Sequence, residues 1–174
     1  RKNIEIDFFG GEPLLNLDTI KGIVSYARER EKTCGKYFRF TLTTNGVLLK
    51  DEEMEYLNST MDNIVLSLDG RKDVHDHMRP RKDGSGTYDA IVPKFLKLAA
   101  KRGDRDYYVR GTYTANNLDF SEDVLHMAEL GFDQLSVEPV VLPDGSEFEI
   151  RKEHLPALFG QYEKLAEELL KLRR

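Results

Sequence analysis

Groups able to bind a ligand gather at five points along this 174-residue chain. Gly10-Gly11-Glu12-Pro13 joins two residues without side chains to a carboxylate and a ring-fixed turn. Such a string lets a ligand touch backbone, and its carbonyls and Glu12 are acceptors suited to an ammonium group. Thr44 and Asn45 stand in a Thr-Thr-Asn-Gly string. Ser67 and Asp69 are two apart, on one side of an extended chain, and a hydroxyl with a carboxylate suits ribose hydroxyls. Arg110 has the planar fork that pairs with a ligand carboxylate. Glu138 precedes Pro139 and either meets ligand or anchors Arg110.

Each group also has a plainer reading. Gly-Gly-Glu-Pro serves as an ordinary tight turn, and Asp69 before Gly70 as a cap or turn former. Arg110 serves in an internal ion pair with Glu138. His75 and His77, with Asp73 and Asp76, invite a metal, but no third matching cluster accompanies them and a zinc site needs a convergent set. No metal ligand is therefore assigned. Cys34 is the one cysteine. It can form no intrachain disulfide and cannot supply the three or four thiolates of an iron–sulfur cluster, which points to reducing, cytoplasmic surroundings.

The elements that must position these groups alternate. Strand-like runs are Ile4–Phe9, Phe38–Thr44, Asn63–Leu68, Asp106–Thr114 and Gln134–Val140. Apolar residues at helical spacing mark Leu17–Arg30, Asp51–Ser59, Thr87–Lys101, Leu118–Leu130 and Glu153–Leu170. Gly35 and Gly131 act as helix stops, and Ser121 is a candidate cap. Arg71 to Gly86 reads as a long polar loop. Five strand–helix pairs imply an α/β fold with a parallel sheet and right-handed crossovers, in one domain over 1–174. Periodicity alone does not choose between a barrel and an open doubly wound sheet. In either fold, binding groups collect at the carboxyl ends of strands, and all five groups fall there or inside a strand.

The composition is that of a globular chain, 40% hydrophobic and 33% charged. Its net charge of −5 speaks against a duplex nucleic-acid partner, which demands a basic face. No apolar run approaches the roughly 18 residues of a membrane span.

Taken together, the motifs resemble radical S-adenosylmethionine (radical SAM) enzymes. Phe8-Phe9-Gly10-Gly11-Glu12-Pro13-Leu14-Leu15 resembles their second strand. Phe40 to Gly46 resembles the third, and Val65 to Gly70 with His75-Asp76-His77-Met78-Arg79-Pro80 and Gly86-Thr87-Tyr88 the fourth and its loop. The combination is similar to the branch of anaerobic sulfatase maturases and peptide maturases with a SPASM-type cluster domain. Tyr107 to Tyr113, Asp119 to His126 and Ser136 to Val141 are similar to maturases of SCIFF peptides, which form thioether crosslinks.

The resemblance implies a partial (β/α)6 TIM-like barrel, here five β/α units without the first. It implies an oxidoreductase that cleaves S-adenosylmethionine with a [4Fe-4S] cluster and abstracts hydrogen from a ribosomal peptide, for thioether or formylglycine-type maturation. By position, Gly10, Gly11, Glu12 and Pro13 would meet the methionine amino group. Thr44 and Asn45 would line the cavity floor, and Ser67 and Asp69 would lie near ribose or carboxylate. Arg110 would bind the carboxylate, and Val137 and Glu138 would lie near adenine or substrate. Implied partners are a peptide or protein substrate and an electron donor such as a ferredoxin or flavodoxin, with no nucleic acid and no membrane.

The family's Cys-x3-Cys-x2-Cys loop would precede Arg1. The expectation is thus a fragment, inactive alone, whose Ile4–Phe9 edge is prone to pair with a second copy. A cluster-free nucleotide- or peptide-binding module is the alternative. An aldolase or phosphate-site barrel is a third reading, but no lysine or glycine-rich phosphate loop stands at a strand end.

Overall fold

A computed structural model describes residues 2–172. The strands are β1 (Asn3–Phe8), β2 (Tyr37–Thr44), β3 (Asn63–Ser67), β4 (Tyr107–Tyr113) and β5 (Leu135–Pro139). The helices are α1 (Leu17–Cys34), α2 (Asp51–Thr60), α3 (Lys72–Met78), α4 (Tyr88–Arg102), α5 (Phe120–Glu129) and α6 (Leu155–Leu172). The strands form one five-stranded parallel sheet in the order β1-β2-β3-β4-β5. Phe8 faces Leu42 across the first ladder, and Thr44 faces Leu66 across the second. An order that follows the sequence, with a helix in every crossover, is what the alternation predicted.

By internal contacts the chain divides into two compact units, Arg1–Ser67 with Asp89–Val109, and Leu68–Tyr88 with Arg110–Arg174. The dividing line passes through β4.

In the first unit, β2 and β3 bury Phe40, Leu42, Ile64 and Leu66 completely, and α4 buries Ile91, Phe95 and Leu98 as fully. The ring of Phe8 stacks on that of Phe40. Arg102 is buried at 2% exposure. Its guanidinium donates to the carbonyls of Met61, Asp62 and Asp106. It thereby satisfies backbone acceptors just after α2 and just before β4, and burial lowers its pKa. In the second unit Tyr113, Phe120 and Leu158 form the core, with the Tyr113 and Phe120 rings stacked 4.3 Å apart.

Two expectations need correction. The polar run after β3 contains the helix α3. Only His75 of that helix is buried, so no apolar stripe announced it. Ser121 does not cap α5: Asp119 occupies the cap position, and the buried Ser121 hydroxyl donates to Gln161 Oε1 at 2.5 Å. Gly35 ends α1 in the left-handed conformation, as expected.

Candidate functional site

The first unit assembles the ends of β1 and β2. Gly10 and Gly11 both take positive φ, +94° and +54°, and no atom comes within 4 Å of where a side chain would begin. The backbone there is exposed. Pro13 opens a 3-10 turn over Pro13–Asn16, and Glu12 caps it by accepting from the Leu14 N–H at 3.1 Å. A proline in first position needs no N–H donation.

The same carboxylate reaches to β2. Glu12 Oε1 accepts from the Thr44 hydroxyl at 2.8 Å, and Oε2 from the Asn45 N–H at 2.8 Å. The Thr44 hydroxyl in turn accepts from Gly46 N–H, and Asn45 Oδ1 from Val47 N–H. Gly46 has φ +75°, and a Cβ built on it would overlap the Phe95 ring. Two adjacent strand ends are thus fastened by one carboxylate. That carboxylate is only half-buried and keeps one acceptor position, on Oε2, for another donor, because a carboxylate offers about four and three are used. The arrangement can receive an ammonium group.

Ser67 ends β3 and is buried at 9% exposure. Asp69 lies in the second unit and is buried at 2%. Its carboxylate holds the Arg79 guanidinium in a two-point pair, Nε to Oδ2 at 2.5 Å and Nη2 to Oδ1 at 3.0 Å, and takes the Thr112 N–H at 3.0 Å. The backbone N–H of Asp69 donates to His75 Nδ1 at 3.3 Å. An accepting Nδ1 leaves the ring proton on Nε2, which donates to the Thr87 hydroxyl at 2.9 Å. Thr87 then donates to the Arg79 carbonyl at 3.1 Å, closing a ring of four residues. His75 is fully buried; desolvation lowers its pKa against the opposing pull of Asp69, so the neutral ring is favoured. Asp69 was expected near ribose or carboxylate; its oxygens accept from Arg79 and Thr112, as a buried carboxylate must be paired.

Two more carboxylates pin the same segment. Asp76 Oδ1 accepts from Thr87 N–H at 2.7 Å and Tyr88 N–H at 2.8 Å. Asp123, fully buried, accepts from Arg71 N–H at 3.0 Å, Arg71 Nε at 2.8 Å and Asn117 Nδ2 at 3.1 Å. Those bonds raise the Arg71 pKa. Gly70 and Gly111 permit this closeness: a Cβ on Gly70 would overlap Asp123, and one on Gly111 would lie 2.8 Å from the Leu68 carbonyl. Sequence reasoning did not single out Arg79, Thr87, Asn117 or Asp123. Signals existed: Arg79 follows His75 by one helical turn, and Thr87 stands just before a helix.

Arg110 pairs with Glu138, Nη2 to Oε2 at 2.6 Å, with the two side chains 38% and 52% exposed. The internal ion pair is therefore formed, but an exposed pair contributes only about 0–1 kcal/mol and can be displaced by a competing carboxylate. Val137 is half-buried beside the core of the second unit. His75 and His77 do not form a metal site, and among the described residues no group of three or more His, Cys, Asp or Glu is placed to hold one. Among them too, no helix is long and apolar enough to cross a membrane.

The fold and these strand ends define an α/β protein whose polar groups follow its parallel strands. Residues 3–97, more than half of the chain, match the family described as the Radical SAM superfamily, and the chain belongs to that superfamily. It is 28% identical over 137 residues to an uncharacterized protein of Methanocaldococcus jannaschii, spanning 78% of this chain and 46% of that one. It is 27% identical over 130 residues to the radical SAM cyclopropyl synthase TigE of Paramaledivibacter caminithermalis, 74% of this chain and 26% of that one. The chain thus spans about half the length of the first relative and a quarter of the second. Among solved structures, the sulfatase maturase anSMEcpe with bound AdoMet and Kp18Cys peptide matches at a TM-score of 0.85 and 18% identity, over 100% of this chain and 49% of that one. That likeness shows the fold, the partial-barrel core of radical SAM enzymes.

Proposed function

We propose that this chain is the S-adenosylmethionine-binding part of a radical SAM enzyme that acts on a polypeptide. The observation that carries this reading is the Glu12 carboxylate, joined to Thr44 and Asn45 at the ends of two neighbouring strands beside the bare backbone of Gly10 and Gly11. An ammonium group finds acceptors there and meets no side chain at the glycines. Ser67 supplies a hydroxyl at the end of β3. In the second unit, Arg110 would exchange Glu138 for a carboxylate, with Val137 as an apolar neighbour of Glu138 in the chain. Asp69 acts through position, by holding the chain that follows Ser67.

When bound, S-adenosylmethionine supplies the hydrogen-abstracting chemistry of the superfamily. The polypeptide substrate is supported by the peptide seated in the anSMEcpe structure, and a ferredoxin or flavodoxin would deliver the electron. The family's iron–sulfur cluster does not fit these residues: the one cysteine, Cys34, ends α1, away in sequence from the carboxyl end of every strand, and one thiolate cannot hold a cluster.

Anaerobic reconstitution of the whole protein tests the reading. It should bind S-adenosylmethionine and, on reduction, release 5′-deoxyadenosine. Glu12→Gln should weaken binding by about tenfold, the worth of one charge-assisted hydrogen bond. A reconstituted protein that neither binds nor turns over S-adenosylmethionine would overturn it, and nucleotide binding without turnover would favour the cluster-free module.

A further inference from the structure

The second unit carries a pocket of about 340 Å3 lined by Asp73, Val74, His77, Met78, Asn116 and Asn117. From it we infer a subsite for a basic side chain, lysine or arginine, of the polypeptide substrate. The inference rests on the preceding reading for the nature of its ligand.

Both walls are built rigidly. On α3, Asp73 and Val74 precede His77 and Met78 by one turn, which sets the four on one helix face. The helix is tied at both flanks, Arg71 by Asp123 and Arg79 by Asp69. The opposite wall comes from the turn after β4. There Asn117, 3% exposed, accepts from the Thr114 N–H and hydroxyl and donates to Asp123. Walls fixed by buried bonds need little ordering when a ligand arrives, which favours recognition.

Two of the side chains that line the pocket, Asp73 and Asn116, keep acceptor oxygens without a donor among the described residues. Among the described residues no hydrogen bond or ion pair holds the Asp73 carboxylate. His77 Nε2 and Asn116 Nδ2 stand at a long 3.5 Å, and the His77 ring meets Phe148 edge-on. Asn116 therefore keeps its amide oxygen as an acceptor. The remaining wall is apolar, Val74 and Met78. A full negative charge, a further acceptor and an apolar side match an alkyl stem ending in a cation. Asp73 also favours the α3 dipole, yet that role needs no pocket.

The volume lies near the lower bound of small-ligand pockets, about 300 Å3, which suits one side chain rather than a nucleotide. Both walls follow strand carboxyl ends, where parallel α/β folds gather ligands. The chain's net charge of −5 attracts cationic polypeptides.

The test titrates the whole protein with N-acetyl-lysine methylamide and with its uncharged norleucine counterpart, following affinity by calorimetry and the His77 ring protons by NMR. The lysine probe should bind about tenfold more tightly than norleucine and shift those protons. Asp73→Asn should abolish the preference, and Asp73→Lys should invert it toward N-acetyl-glutamate methylamide. Equal affinity for the two probes, or a preference that survives Asp73→Asn, would overturn the inference. S-adenosylmethionine binding is read in the same samples. If it is absent while the Asp73-dependent lysine preference persists, the radical SAM reading fails and the pocket stands as an organic-cation site.

Discussion

The segment after β1 and the segment after β3 both set acidic residues just beyond a strand, and they use them differently. After β1, Glu12 makes three hydrogen bonds while half-buried, beside glycines whose surroundings are open. After β3, Asp69 and the Asp123 that faces Arg71 also accept three hydrogen bonds each, from arginine, backbone and Asn117 donors, but do so while buried. The first carboxylate retains capacity for a ligand. The second pair holds a nineteen-residue excursion, from Gly70 to Tyr88, in one conformation. Depth of burial separates the two uses: an ionised group out of water must be paired, whereas one at the surface is free to exchange partners.

Truncation should separate them most sharply at Asp69. Asp69→Ala strips the Arg79 guanidinium and the Thr112 N–H of their acceptor, and should cost about 3–5 kcal/mol in urea unfolding. A loss below about 1 kcal/mol would place Asp69 with Glu12 as an exchangeable group.

Gly46→Ala tests the first segment. The new methyl group meets the Phe95 ring at a backbone φ of +75°, so overpacking and left-handed strain together should cost about 2–3 kcal/mol. Adding Phe95→Leu should relieve the overlap and leave only the backbone share, which a melting curve of the double variant would show.

The smallest effect is that of pH on the ring around His75. Its pKa in the folded protein lies below the ordinary 6.5, so the unfolded chain binds the extra proton first as pH falls. Stability from this group is complete above about pH 6.5 and is lost on acidification through the folded-state pKa, with a slope of at most about 1.4 kcal/mol per pH unit. His75→Gln should flatten that part of the stability–pH profile.

Much of this was legible in advance. The alternation of period-two and helical patterns located all five strands within about two residues. Gly35 marked a helix end by a φ that only glycine takes readily. The short helix α3 was not legible, since one buried residue in seven leaves no periodic trace. Nor did Ser121 cap its helix, because a distant Gln161 offered it a buried partner.

The sequence by itself determined the order of elements, the family and the positions of polar residues at strand ends, because those depend on local periodicity and contiguous motifs. It could not determine which carboxylate stays available. Asp69 and Glu12 look alike as acids beside glycines. Only the tertiary structure brings Arg79 and the Thr112 N–H to Asp69, ten and forty-three residues along the chain, and whether a charge is consumed depends on partners that come from such distances.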